Sequence, residues 1–305
     1  MSNLVKIKNK NKLPKILVIL GPTASGKSDL AVKLAKEFSG EVISCDSRQV
    51  YKGMDLGTGK ITKKEMKGIK HYLLDVASPK RQFSVAQFQK KAKEAIKKIL
   101  REKKLPIICG GTWFWLKVLM EGIELPQVSP DFALRKKLQK KSLKELYLIL
   151  KKIAPKRAKE IDKKNKVRLI RAIEIALDSL GFPKIKKKKN FEVLKIGIEI
   201  PFEKLKKLIF LRLQKRLKKG MINEVKKLKK SGLSWKKIES FGLEYRWIAL
   251  YLQKKITLEE MKEKLFKDIC RFAKKQINVF KKDKEVIWIK NFSEAKKVLK
   301  QWLKK

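Results

Sequence analysis

The chain has 305 residues, 43% of them hydrophobic, and a formal net charge of +50 from 80 basic and 30 acidic side chains. So large an apolar share builds a real core, which excludes a disordered polybasic protein, and the length allows one large domain or a core with an insertion. The apolar runs are too short to span a bilayer, and Cys45, Cys109 and Cys270 are too scattered for a zinc finger or a disulfide framework, so a cytoplasmic protein with no membrane contact is expected.

The charge points to a polyanion such as nucleic acid. It has a competing explanation, because 69 of the basic residues are Lys, spread over every segment, as a biased genome composition also produces. The 11 Arg are more informative, since a chain this free with Lys keeps Arg where a planar fork matters. The single His71 excludes mechanisms that need a His pair.

Residues 1–12 are polar and rich in Lys and Asn, and read as a flexible tail. Ile16–Leu20 is an apolar strand, followed by Gly21-Pro22-Thr23-Ala24-Ser25-Gly26-Lys27-Ser28 and by Leu30, Ala31, Leu34, Ala35 and Phe38 at helical spacing. This is the full G-x-x-x-x-G-K-[ST] pattern between a strand and a helix. Its glycines let backbone N–H groups surround a di- or triphosphate, Lys27 reaches the outer phosphates, and Ser28 can ligate Mg2+. Glu41–Asp46 is a second strand that leads into Asp46-Ser47-Arg48-Gln49-Val50-Tyr51, and a glycine-punctuated loop covers Gly53–Lys60.

His71–Val76 reads as a third strand, so Asp46 and Asp75 both end apolar strands. Either is placed to act as an acidic partner of Mg2+ or as a general base. A helix runs from an N-cap at Ser84 to about Arg101, Pro106–Cys109 is a fourth strand, and Gly110-Gly111-Thr112 turns into a helix over Trp113–Met120. The Thr112 hydroxyl serves either an anion or that helix cap.

From Asp131 to about Leu180 only helical periodicities occur, interrupted at Pro155 and closed by Gly181-Phe182-Pro183 and the run Lys184–Lys189. Strand character returns at 193–200, basic helices follow at about 202–230, 245–252 and 257–281, and a last strand covers 285–289. Arg212 and Arg216 share a helix face, where they either clamp a diphosphate or form a surface ion pair or solvated face. The fold class is therefore α/β: a P-loop NTPase-like parallel sheet flanked by helices, with an all-helical insertion. The divisions fall at 1–12 (tail), 13–125 (first part of the core), 126–189 (insertion) and 190–305 (core completion and basic helices).

The Gly21–Ser28 loop, the Asp46–Asp55 block with Gly57-Thr58, His71–Asp75 and Gly110-Gly111-Thr112 together resemble the tRNA dimethylallyltransferases. The resemblance continues through Asn165–Glu174, Leu205–Val225 and Arg271–Gln276, and so covers nearly the whole chain. It implies a P-loop scaffold that holds the diphosphate of dimethylallyl diphosphate with Mg2+ and prenylates the adenosine just 3′ of the anticodon. Carried over by residue, it assigns Gly21, Thr23, Ala24, Ser25, Gly26, Lys27, Ser28 and Arg212 to the diphosphate. Asp46 becomes the base, and Thr112 stabilises the departing diphosphate. Asp46, Ser47, Arg48, Gln49 and Thr112 line the adenosine site, and Arg168, Arg171, Arg271, Lys274, Lys275 and Gln276 meet the tRNA anticodon stem-loop.

Two positions depart from the family pattern. Leu208 replaces the first Arg of the diphosphate helix, with Arg216 one turn beyond Arg212. Phe241-Gly242-Leu243-Glu244-Tyr245-Arg246 replaces the usual Gly-Tyr-[KR] element. The alternative function is a P-loop small-molecule or nucleoside kinase using ATP, which needs neither a helical insertion bearing Arg168 and Arg171 nor so basic a C-terminal region. A nucleic-acid-dependent ATP switch would want a clear Walker-B strand, which the sequence lacks.

Overall fold

The strands of the computed structural model, which describes residues 13–305, all pair in parallel. The tail expected over 1–12 lies outside the described residues. In chain order the first part of the core is β1 (Lys15–Leu20), α1 (Lys27–Glu37), β2 (Gly40–Cys45), α2 (Lys63–Met66), β3 (His71–Tyr72), α3 (Val85–Arg101), β4 (Leu105–Gly110) and α4 (Trp113–Met120). After the insertion follow β5 (Glu192–Ile198), α9 (Phe202–Lys218), α10 (Met221–Lys230), α11 (Trp235–Glu239), α12 (Leu243–Leu252), α13 (Leu258–Phe280), β6 (Val286–Ile289) and α14 (Phe292–Lys304). The insertion supplies α5 (Phe132–Gln139), α6 (Leu143–Ile153), α7 (Pro155–Glu160) and α8 (Lys166–Asp178).

The sheet order is β3-β2-β4-β1-β5-β6, so β4 enters between β1 and β2. Its central strands are apolar without alternation because both faces are covered. Odd residues of β1, Leu17 and Ile19, pack with Leu30, Leu34, Ala295 and Leu299 of α1 and α14. Even residues Ile16, Val18 and Leu20 belong to the larger cluster on the opposite face, with Phe88, Trp115, Leu213 and Ile269. That parity is the two-residue period of a strand. Ser84 caps α3 as expected, accepting from the Gln87 amide at 3.2 Å in a reciprocal capping box.

The structure corrects two readings of the sequence. The third strand stops at Tyr72 rather than Val76, because Leu73 and Asp75 take positive φ (63° and 56°), which no ladder accommodates. Asp75 therefore does not end a strand. The helix expected over 202–230 is two helices, broken where Gly220 turns to φ 94°.

The chain divides into two compact units, the core (up to Glu121, and from Lys189) and Gly122–Lys188. The second packs α5 to α8 around Leu146, Leu150, Leu169 and Ile173. Pro155 stands at the first turn of α7, where its missing N–H costs nothing, and Asn165 caps α8 through the Arg168 amide.

Phe88 is fully buried and stacks on Trp115 with ring centroids 4.6 Å apart. Phe88→Ala is expected to lower unfolding stability by about 3–5 kcal/mol, read from urea denaturation.

Candidate active site

The parallel register brings three chain ends to one level. Leu20 pairs with Gly110 on one side of β4 and Cys45 pairs with the same residue on the other, so Gly21, Gly111 and Asp46 leave the sheet as neighbours. The Thr112 amide then donates to the Cys45 carbonyl at 3.3 Å, and its hydroxyl accepts from the Ser47 amide at 3.1 Å. Thr112 stands at the N-cap position of α4, yet its hydroxyl makes no cap bond: it ties β4 to β2 instead.

Asp46 is fixed by its own loop. Its Oδ1 accepts from the amides of Arg48 (2.8 Å) and Gln49 (3.3 Å), while Oδ2 has no hydrogen bond among the described residues. The Ser44 hydroxyl donates to Gln49 Oε1 at 3.1 Å, and Gln49 Nε2 donates to the carbonyls of Thr58 and Gly59, both at 3.4 Å. The Arg48 guanidinium lies over the ring of Phe241, 5.9 Å from its centroid.

The loop Gly21–Ser28 curls back on itself: Gly26 takes the left-handed conformation (φ 86°) just before α1, and Lys27 Nζ donates to the Pro22 carbonyl at 3.1 Å. Burial pushes the Lys27 ammonium below its usual value, with Arg212 pushing the same way while Cys109 and Asp46 oppose it. The Ser25 hydroxyl is buried and has no partner. An orphaned donor inside an anion loop is what a phosphate oxygen satisfies.

Gln276, on α13, closes the loop from above. Its Oε1 accepts from the Thr23 amide at 2.9 Å and its Nε2 donates to the Gly111 carbonyl at 3.1 Å. A Cβ on Gly111 would stand 2.4 Å from Nε2, so this approach requires glycine. The structure thus places Gln276 against the phosphate loop, whereas Arg271, Lys274 and Lys275 on the same helix are exposed. Arg271 pairs with Asp268 at 2.7 Å.

Arg212 and Arg216 do not face solvent. Arg212 donates to the Gly59 carbonyl at 3.1 Å, and Arg216, 9% exposed, donates to the carbonyls of Leu56 and Gly57 and pairs with Glu244 at 3.0 Å. The other strand-end candidate, Asp75, is occupied: Lys60, whose side chain is 5% exposed, bridges it and Asp55 at 2.6 Å each. The three cysteines are free. Burial pushes the Cys109 thiol up to about 11 and Cys45 well above its usual range, which removes both as nucleophiles at neutral pH.

Sequence reasoning missed Glu224 and Tyr245. The Glu224 carboxylate accepts from the amides of Asp55 (2.8 Å), Leu56 (2.6 Å) and Gly57 (2.9 Å) and from the Tyr245 hydroxyl at 2.9 Å. No local spacing signals this, because the three loop amides lie 167 to 169 positions from Glu224 in the chain.

In the insertion, Glu174 is 2% exposed and accepts from Arg135 at 2.9 and 2.7 Å, from Arg171, and from the Asp131 amide. Arg171 also donates to the Val128 carbonyl at 2.7 Å, so it is an internal tie, while Arg168 on the same helix is exposed.

Among the described residues no helix is long and apolar enough to cross a membrane, and no cluster of three or more His, Cys, Asp or Glu could hold a metal ion by itself. A parallel sheet with a G-x-x-x-x-G-K-S loop beside a strand-end carboxylate and two partly buried cations is the arrangement of a P-loop fold. Residues 49–283 match the family model described as IPP transferase. The chain is 41% identical over 298 residues to tRNA dimethylallyltransferase 1 of Syntrophus aciditrophicus, covering 95% of this chain and 97% of that one. It is 43% identical to tRNA dimethylallyltransferase 2 of Treponema denticola, over 87% and 91%. The crystal structure of the tRNA isopentenylpyrophosphate transferase of Bacillus halodurans superposes with a TM-score of 0.71 at 33% identity, over 95% of each chain. The chain belongs to the IPP transferase family and is a transferase.

Burial alone would raise the Glu174 carboxyl, but hydrogen bonds from Arg135, Arg171 and the Asp131 amide outweigh it and hold the group below the usual carboxylate range. A depressed folded value adds stability above the unfolded value and loses it as pH falls through the folded one. Thermal melts are therefore expected to drop as pH is lowered from neutral through about 4.5 and below. Glu174→Gln should be less stable at neutral pH and show a shallower fall.

Proposed function

We propose that the chain transfers the dimethylallyl group of dimethylallyl diphosphate to N6 of the adenosine 3′-adjacent to the anticodon of tRNA. The observation that carries this reading is Asp46 Oδ2: an uncommitted carboxylate oxygen held at a strand end, in the electrostatic field of Lys27 and Arg212. A kinase reading is not favoured, since the relatives are named for prenyl transfer to tRNA.

The chemistry follows from the parts. In the substrate, the bond between the allylic carbon and the bridging oxygen breaks, and its electron pair leaves with diphosphate. Lys27, Arg212, the loop amides and the Ser25 hydroxyl meet that charge where it develops. The adenine N6 lone pair is delocalised into the ring, so the amine attacks well only as its proton is removed. Asp46 Oδ2 takes that proton while N6 bonds to carbon. Thr112 and the amides of Arg48 and Gln49 hold Asp46 and its loop in place, so no reorganisation is needed at the moment of reaction.

A Mg2+ ion fits this site because it takes few protein oxygens and completes its shell with water and phosphate. The Ser28 hydroxyl is the protein ligand at hand. When bound, the ion would neutralise the diphosphate and make it a better leaving group. Ser47, Arg48 and Gln49 lie beside Asp46, where an extruded adenine would have to enter. Arg168, Arg271, Lys274 and Lys275 are the exposed cations we assign to the tRNA backbone, with Arg171 supporting the insertion surface.

Incubating the protein and Mg2+ with unmodified tRNA and either dimethylallyl diphosphate or ATP tests the reading. Nucleoside mass spectrometry should show a five-carbon gain on adenosine in the first arm alone; ATP consumption with a small acceptor and no such gain would contradict it. Asp46→Ala should lower turnover by at least about a hundredfold with tRNA affinity nearly intact. Arg168→Ala should reduce the slope of log affinity for tRNA against log salt by about 1. An unchanged slope would remove that residue from the backbone contact.

A further inference from the structure

Two residues of α9 and α12 that the sequence left without a role meet in space. Arg216, the extra arginine one turn past Arg212, is ion-paired at 3.0 Å to Glu244, the acid in the altered 241–246 element. Both side chains are nearly buried, at 10% and 12% exposure. Arg216 acts on the loop 55–59, and Glu244 acts on it through Arg216.

That loop is gripped from both sides of its peptide groups. The Glu224 carboxylate collects the three amides of Asp55, Leu56 and Gly57, and Tyr245 donates to the same carboxylate. Arg216 collects the two carbonyls of Leu56 and Gly57. The packing is close enough that a Cβ on Gly57 would stand 2.4 Å from the Tyr245 ring. Two residues further on, the Gly59 carbonyl, with φ at 59°, accepts from Arg212 at 3.1 Å. A Cβ on Gly59 would stand 1.8 Å from the Arg212 Nη2, so the guanidinium lies directly on the bare backbone. The same carbonyl accepts from Gln49 of the Asp46 block. The position of Gly59 therefore sets the position of Arg212.

We propose that Arg216 and Glu244, with Glu224, are positioning residues: they fix the 55–59 loop so that its Gly59 carbonyl aims Arg212 at the diphosphate. The pair acts on Arg212 by orientation rather than by contact with the ligand. This rests on the reading of the loop as a diphosphate site.

The test is calorimetric titration of the full chain with inorganic diphosphate and Mg2+, which needs no turnover. Arg216→Met should weaken diphosphate binding about tenfold, the size of one lost charge-assisted contact, with tRNA affinity little changed. In an Arg212→Ala background the same substitution should add nothing, because the group it aims is gone. A merely structural role would lower diphosphate and tRNA affinity together and would add to the Arg212→Ala loss. Should Arg216→Met fail to fold, the double variant Arg216→Met/Glu244→Gln removes both buried charges at once and takes its place in the same cycle. Unaltered diphosphate affinity, or a full loss retained without Arg212, overturns the proposal. No binding by the unsubstituted chain would overturn the diphosphate site itself, and this inference with it.

Discussion

A parallel sheet delivers the carboxyl ends of all its strands to one edge, and the insertion of β4 between β1 and β2 turns that rule into a site. Because Leu20, Gly110 and Cys45 lie side by side, the phosphate loop, the Gly111-Thr112 turn and Asp46 emerge within hydrogen-bonding reach of one another. Every later feature is a tie across that junction. Thr112 joins the second and third ends, and Gln276 joins the first and second from α13. A shift of one residue in the β4 register would separate them and turn its buried side chains to the wrong face.

The electrostatics of the junction are unbalanced by design of the parts. Burial lowers both Lys27 and Arg212 below their usual values, each also depressed by another cation, and Asp46 only partly compensates. Positive charge so placed is costly until an anion arrives. A diphosphate bound as we propose would remove that cost and satisfy the Ser25 hydroxyl, coupling ligand binding to the stability of the site. Arg212 bonds the 55–59 loop, and that loop in turn is tied to α9, α10 and α12.

Most of the strands, their parallel pairing and the Gly21–Ser28 turn into α1 were legible because each has a local signal: an unbroken apolar run, a glycine pattern, a helix at the right distance. Asp46 was legible as a strand-end acid, but Asp75 was not separable from it by pattern alone. Only the positive φ of Leu73 and Asp75, and the Lys60 side chain that occupies Asp75, tell the two apart. The role of Arg216 was hidden for a different reason. A helix-face pair reads as a solvated surface unless its partners are known, and those partners lie 159 and 160 positions away. Gln276 belongs to the same class: its helix was recognised, but periodicity does not say that one turn of it caps the phosphate loop. Long-range polar ties leave no spacing in a sequence.

The most direct test of the account is a crystal structure with inorganic diphosphate and Mg2+. Density is expected within Gly21–Ser28, contacted by Lys27, the Ser25 hydroxyl and Arg212, with Asp46 Oδ2 still uncommitted and facing the space beside it. Diphosphate bound elsewhere, or Asp46 drawn into a contact that occupies Oδ2, would contradict the claim that this junction holds the leaving group and its base together.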